Sequence, residues 1–576
     1  MEIVDSKVSI IEKIDKPNTV KVALVHASIA WNDREYNLSR LLELNEKAAQ
    51  AGAGIIVNPE LALSGYSFSG KSEIEHLAEA IPGPATDKFG RLARKHKAYI
   101  AFGLPEIDRE TGVVYNAGVL IGPEGTVLGQ ARKLAPAYKE NRWSARGNLP
   151  VLVCSTVYGK MGLIICSDAF WYQPARLAAL NGARLLLVLA NWPPQGHPPD
   201  HFWRARALEN GIYVLACNRT GIDKSLDCTQ AQSFIINPEG IVETQVSSPE
   251  DKVVYGDLSI PAGQVLFSSK VQDRLAARRP HFYTDIALDP YSSHVETDNL
   301  LELPPADPFT AASLQFRPLP LSPAENREQM LAMIDKACMA AADYRPGLRL
   351  LVFPELATAG LIKNRDEAWR AAEEIPGPTV EAIERKARER DVYIIFGMAE
   401  RENESYYNTT VLIGPKGLLG KYRKVHLSQS DRSWACAGEN GFFSYDLPFA
   451  RVGLLMGTDL LVPECMHALA KRGTDLVCAP SLWMERQNRY LWEARMVEMQ
   501  VHLVVSNQWG GETASSFPGG SAIYSFHRYP EKRMQVTAAE DEDDIQLLCL
   551  DPKDARQKRF LELASYDPLL IESSNY

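Results

Sequence analysis

Along the chain, short aliphatic runs alternate with stretches whose apolar residues return every third or fourth position. Val20-Lys21-Val22-Ala23-Leu24-Val25 has the length and composition of a strand. From Asn37 to Ala51 the residues Leu38, Leu41, Leu42, Leu44, Ala48 and Ala49 fall on one face of a 3.6-residue period, which predicts an amphipathic helix. Gly54-Ile55-Ile56-Val57 then reads as a buried strand ending at Pro59-Glu60. Strands alternating with amphipathic helices predict an α/β layered domain. Groups that carry chemistry in such domains gather where strands end, and Glu60, Lys133 and Cys166 all fall at such places.

The same words occur twice. Val57-Asn58-Pro59-Glu60-Leu61-Ala62 returns as Val352-Phe353-Pro354-Glu355-Leu356-Ala357, and Gly122-Pro123-Glu124-Gly125 with Arg132-Lys133 returns as Gly414-Pro415-Lys416-Gly417 with Arg423-Lys424. Lys133, Cys166 and Trp192 recur as Lys424, Gly457 and Trp483 at a constant offset of 291, and Arg206, Glu209 and Asn218 recur as Arg495, Glu498 and Asn507 at 289. A register held over that distance predicts two homologous domains, at residues 18–285 and 312–560, joined by a linker at 286–311. The segment from Asp289 to Pro308 is rich in proline and polar residues and lacks either period, as a linker does. The acidic run from Glu540 to Asp544 predicts a solvated loop.

Composition narrows the function. A chain of 576 residues exceeds one ordinary core, and 45% hydrophobic with 23% charged residues is the balance of a globular protein. The net charge is −10 with no basic stripe, so a nucleic-acid partner is not expected. Apolar runs such as Leu185–Ala190 fall short of the ~20 residues that span a bilayer. The acidic start lacks a signal-peptide pattern, so the expectation is a cytoplasmic protein with no membrane partner. Nine cysteines without paired CxxC knuckles indicate neither a disulfide scaffold nor a metal site.

One of those cysteines stands apart. Cys166 closes the run Met161-Gly162-Leu163-Ile164-Ile165 and precedes Ser167-Asp168-Ala169. A thiol at the end of a buried strand projects into a cleft, but it needs a base or a cation, since the thiolate is the reactive form and a free thiol has a pKa of ~8.5. Glu60 after its proline, and Lys133 seven positions before Glu140, supply a candidate base, cation and second carboxylate.

Taken in order, these words resemble the nitrilase superfamily of carbon-nitrogen hydrolases over nearly the whole first domain. They are Pro59-Glu60-Leu61 with Ser64-Gly65-Tyr66, Arg132-Lys133-Leu134 leading to Glu140, Gly162-Leu163-Ile164-Ile165-Cys166 with Asp168, Asn191-Trp192-Pro193, and Trp203 to Asn210. The resemblance implies an α-β-β-α sandwich in each domain, with Cys166 as nucleophile, Glu60 as general base, Lys133 as oxyanion-stabilising cation and Glu140 as positioning carboxylate. It implies the Ser167 main-chain N–H as a second oxyanion donor, and no metal or organic cofactor. Tyr66, Phe170 and Trp171 are candidates for an aromatic pocket, and Asn191 and Trp192 complete the candidate substrate contacts. The expected substrate is a small amide or N-carbamoyl compound. The alternatives are a nitrile, or a binding or scaffold protein without activity.

The second domain keeps Glu355 and Lys424 but has Asp431 in place of Glu140 and Gly457 in place of the nucleophile. Glycine has nothing to attack with, so this domain is expected to be catalytically dead, a fused copy supplying an intrachain pseudo-dimer partner, with a homo-oligomer of such chains as a further expectation. Cys465 is read as a helical core residue, and His197 and His201 as facing water.

Overall fold

In the computed structural model the first helix, α1 (Arg34–Gln50), starts ahead of the apolar period because Asp33 caps it, accepting a hydrogen bond from Tyr36 N at 3.1 Å. Leu38, Leu41, Leu44 and Ala48 are buried, as the periodicity requires. The structure describes residues 18–137, 139–224, 226–260, 274–288, 290–291, 301–511, 517–556 and 558. Of the expected linker, residues 289 and 292–300 lie outside these.

The strand expected at Val20–Val25 is Asn18–His26. It pairs in parallel with Ile55–Val57, which pairs in parallel with Tyr99–Ile107. Lys252–Ile260 on one side, and Val114–Ile121 followed by Val127–Arg132 on the other, extend this to six strands by antiparallel pairing. A second six-stranded sheet has the parallel strands Gly159–Ile165, Leu185–Ala190 and Tyr213–Asn218 at its centre. The two sheets lie face to face: a Cβ on Gly118 would come within 2.8 Å of Leu163 and 2.9 Å of Leu189. Helices α1 and α2 (Pro84–His96) share a core with Val25, Ile56 and Phe102 on the outer face of the first sheet. Helices α3 (Tyr172–Leu180) and α4 (Pro199–Asn210) cover the second.

Residues 309–556 repeat this α-β-β-α order. Helices α5 (Pro323–Ala340) and α6 (Pro378–Arg390) cover a sheet that contains Phe309–Gln315, Leu348–Val352 and Tyr393–Glu402. Helices α7 (Pro463–Lys471) and α8 (Arg489–Met499) cover the other, built around Ala450–Leu454, Leu476–Ser481 and His502–Asn507. The strand that opens this domain starts at Phe309, ahead of the boundary expected at 312, because its pairing with Asp544–Leu550 begins there.

The domains meet through α3 and α4 against α7 and α8, and one apolar cluster runs without interruption from one to the other. At its centre lies a fully buried ring of four charges. Arg206 Nη1 reaches Glu498 Oε2 at 2.9 Å, Arg495 Nη2 reaches Glu209 Oε2 at 2.6 Å, and each arginine also meets the glutamate on its own helix. These are the residues that repeat at an offset of 289, so the contact is reciprocal, as in an isologous interface. Residues 274–288, assigned above to the first domain and linker, pack on the second: Arg278 pairs with Glu464 at 3.0 Å and the Tyr283 hydroxyl meets His426 Nε2 at 2.8 Å. Among the described residues no helix is long and apolar enough to cross a membrane.

Candidate active site

Four groups of the first-domain cluster follow the ends of strands. Ile55–Val57 leads to Glu60, Val127–Arg132 to Lys133, Gly159–Ile165 to Cys166 and Leu185–Ala190 to Asn191. Glu140 opens a short 3-10 turn, Glu140–Arg142. Ligand sites in open α/β sheets favour the carboxyl ends of the strands for this reason.

Local backbone choices make the convergence possible. A Cβ on Gly103 would come within 2.7 Å of Glu60 Cα, so the glycine lets the Glu60 loop lie directly on the Tyr99–Ile107 strand. Leu61 at φ 45° and Cys166 at φ 46° both take left-handed backbone, which costs energy in a residue with a side chain and turns each neighbouring group toward the cleft. Asp168 holds the turn at Cys166, accepting from Leu134 N at 2.9 Å, Ala135 N at 2.8 Å and Ile165 N at 3.1 Å. Burial outweighs those donors and lifts the Asp168 carboxyl to about 7.

At the centre, Lys133 Nζ donates to Glu60 Oε1 and Glu140 Oε2, both at 2.6 Å. Asn116 Nδ2 bridges the same two carboxylates, at 2.7 Å to Glu60 and 2.6 Å to Glu140. Glu140 also accepts from the Tyr66 hydroxyl at 2.9 Å and from Ala137 N at 2.8 Å, while Asn191 N donates to Glu60 Oε2 at 2.8 Å. Burial raises the Glu60 carboxyl above its ordinary value against the pull of Lys133. It also disfavours the Lys133 ammonium, but Glu140 and Glu60 outweigh it and hold Lys133 well above the usual lysine range. Burial pushes the Cys166 thiol well up, Glu60 adds to this and Lys133 opposes it. Burial thus holds the Cys166 thiol toward its neutral form beside Glu60 and Lys133.

A cavity of about 430 Å³ opens beside Ser167, Phe170 and Trp171. Its far wall comes from the second domain, with Phe526, Arg528, Tyr529 and Arg533. The Phe170 ring lies 4.4 Å from Trp192 and 4.7 Å from Phe202, and the Ser167 hydroxyl donates to Ala135 O at 2.6 Å. Of the candidate aromatics, Phe170 and Trp171 line this cavity, whereas Tyr66 is held on Glu140 and Trp192 backs Phe170 from within the core. Asn191 supports Glu60, and its Nδ2 donates to Glu60 O at 2.8 Å. His197 and His201, expected to face water, are only half-buried, and α8 places Glu493 3.6 Å from His197 and 2.5 Å from His201.

Sequence reasoning passed over Asn116. Its signal is the repeat itself, since Tyr115-Asn116 returns as Tyr407-Asn408, and Asn408 Nδ2 bridges Glu355 at 2.7 Å and Asp431 at 2.9 Å. Lys424 Nζ meets Glu355 Oε1 at 2.6 Å and Asp431 Oδ2 at 2.7 Å. Gly457 keeps the left-handed backbone of Cys166, at φ 42°. Nearby, His426, Asp459 and Cys465 bring donor atoms within 4.8 Å of one another. Both His426 nitrogens and both Asp459 oxygens already have protein partners, including the Tyr283 and Tyr422 hydroxyls, so this is a satisfied polar network. Cys465 sits fully buried on α7.

Comparisons with known proteins give the family of the chain. The carbon-nitrogen hydrolase family model matches residues 21–264 and again 310–560. A nitrilase of Pyrococcus abyssi is 31% identical over 254 residues, covering 44% of this chain and 93% of its own. The omega-amidase NIT2 of Mus musculus is 29% identical over 255 residues, covering 42% of this chain and 90% of its own. Among solved structures, Nit3 of Saccharomyces cerevisiae is 24% identical with a TM-score of 0.39, covering 42% of this chain and 90% of its own. With both halves matched by one family model, the chain belongs to the carbon-nitrogen hydrolase family and carries its domain twice.

Proposed function

We propose that the first domain hydrolyses a small amide or N-carbamoyl compound through a thioester on Cys166. The observation that carries this reading is the junction of Glu60, Lys133 and Glu140, each buried and hydrogen-bonded to the next, with the Cys166 thiol in the field of Glu60 and Lys133. In the first half-reaction the Cys166 sulfur bonds to the carbonyl carbon while Glu60 takes the thiol proton. The carbonyl oxygen becomes an oxyanion facing the Lys133 ammonium and the Ser167 backbone N–H; a single preorganised donor of this kind is worth about 10²–10³ in rate. The carbon-nitrogen bond then breaks, Glu60 returns the proton to nitrogen, and ammonia or an amine leaves.

In the second half-reaction Glu60 takes a proton from water, the hydroxide oxygen bonds to the thioester carbon, and the carbon-sulfur bond breaks as Glu60 gives that proton to the sulfur, leaving the acid and the free thiol. Glu140, Asn116 and Tyr66 position Lys133 and Glu60. The second domain takes the place of a partner subunit: it closes the cavity with Tyr529 and Arg533 and buries the face of α3 and α4. A nitrile substrate is the second reading, favoured by the nitrilase among the relatives.

The test is a panel of aliphatic, aryl and carbamoyl amides and nitriles, given to the wild type and Cys166→Ala, with released ammonia and intact mass as readouts. Turnover and an acyl adduct on Cys166, both absent from the variant, are expected. Residual turnover by Cys166→Ala would move the chemistry elsewhere.

A further inference from the structure

The second-domain cluster opens onto a cavity of about 720 Å³, larger than the one beside Ser167. Glu355, Lys424 and Thr458 all line it. Glu355 is 2% exposed. Its Oε1 is occupied by Lys424 and Asn408, but its Oε2 has no hydrogen-bond partner among the described residues. In the first domain the matching oxygen of Glu60 accepts from Asn191 N. Here Oε2 instead occupies the space the nucleophile's side chain would need, because a Cβ built on Gly457 would collide with it. Because Glu355 lines the cavity, this oxygen is open to a donor from a molecule bound there.

Two donors stand beside this acceptor. Lys424 carries three ammonium protons and uses two of them, on Glu355 and Asp431. Thr458 follows Gly457 as Ser167 follows Cys166, and its hydroxyl is tied to His426 O at 2.5 Å as that of Ser167 is tied to Ala135 O, so its main-chain N–H has the place of the first domain's oxyanion donor. The walls above are apolar at Leu427, Leu461 and Trp483. One acceptor and two donors at the foot of a cavity whose walls mix these apolar side chains with charged Arg274, Lys363, Arg432 and Glu485 match a primary carboxamide, whose carbonyl accepts and whose amino group donates. A carboxylate would place like charge on Glu355.

We propose that the second domain is a non-covalent binding site for a small primary carboxamide, its carbonyl oxygen held by Lys424 and the Thr458 N–H and its amino group by Glu355 Oε2. With glycine at 457 the ligand stays intact. The inference depends on this cluster and is independent of the chemistry at Cys166.

The test is equilibrium dialysis of radiolabelled butyramide against the full-length chain as Cys166→Ala, and against the same protein with Gly457→Ala or, separately, Leu482→Trp, which fills the cavity from its wall. Gly457→Ala requires the Glu355 carboxylate to shift, although Cys166 holds a side chain at nearly the same φ, and Leu482→Trp answers the question if Gly457→Ala fails to fold. The Cys166→Ala chain is expected to bind two equivalents and each double variant one, with butyrate at least tenfold weaker at the equivalent that is lost. One equivalent falling to none would support this site while counting against amide binding at the Cys166 site. Equal binding by all folded variants, or none by Cys166→Ala, would overturn the proposal.

Discussion

The two sites of this chain keep the same buried glutamate, lysine and asparagine and differ in having a cysteine in one where the other has a glycine. In the first domain Cys166 stands over Glu60 and Lys133; in the second Gly457 stands over Glu355 and Lys424 on the same left-handed backbone. The flanking changes are compensated. Asp431 is one methylene shorter than Glu140; it keeps the backbone donor, Ser428 N at 2.9 Å where Glu140 has Ala137 N at 2.8 Å, and gains the Ser428 hydroxyl at 2.7 Å. Leu482 replaces Asn191, and Gln508 Nε2 takes over the hold on the glutamate's carbonyl oxygen at 2.7 Å. The electrostatic cluster is thus a self-contained hydrogen-bonded unit that survives loss of the thiol. What it lacks in the second domain is a donor on the free oxygen of Glu355 and something to activate.

The widest separation between the two sites is in what their glutamates do. Glu60→Gln keeps the shape and the bond to Lys133 but removes the proton acceptor, and general-base assistance is worth about 10²–10⁴ in rate. Steady-state kinetics on the best substrate of the panel are expected to show a fall in kcat/KM of that order with the fold intact by circular dichroism. A loss of less than about tenfold would mean that Glu60 is no more a base than its counterpart.

Where the domains agree rather than differ is the ring of Arg206, Glu209, Arg495 and Glu498. Arg495→Met leaves two fully buried glutamates sharing one arginine, and breaking a buried pair from one side costs about 3–5 kcal/mol. Urea denaturation is expected to show a destabilisation of that size, and Arg206→Met a similar one, because the ring is reciprocal. Strongly unequal losses would show that the two halves do not share it evenly.

Much of the site was legible because repetition marked it: Glu60, Lys133 and Cys166 stand beside words that return in order, and the structure brings all three together with Glu140. The charge ring was half legible. Arg206 and Glu209 were seen to recur, but that each pairs with the other copy depends on how α4 lies on α8, which no local pattern encodes. The same holds for His197 and His201, which look solvated until Glu493 arrives from the other domain, and for residues 274–288, whose sequence gives no sign of which domain they cover. Asn116 was missed for a different reason: a single asparagine inside a strand reads as ordinary until its two carboxylate partners are in place.

The finest distinction between the sites is in their titration. Burial raises both glutamates, Glu355 to about 7, and Glu60 upward against the combined effect of Lys133 and its hydrogen bonds. Glu60 must be ionised to take the thiol proton, so activity is present above its raised pKa and is lost as pH falls through it. The acidic limb of kcat/KM is therefore expected above the ordinary glutamate value of about 4.3. Titration of carbon-13 labelled glutamate side chains in the free protein should find Glu60 and Glu355 among the elevated carboxyls, beside Glu79 and Glu243 which burial also raises, and Glu60→Gln identifies which resonance follows the kinetic limb. A limb at the ordinary value would mean that Glu60 is better solvated than its burial implies. A limb that follows Glu355 instead would place control of the rate in the domain that has no nucleophile.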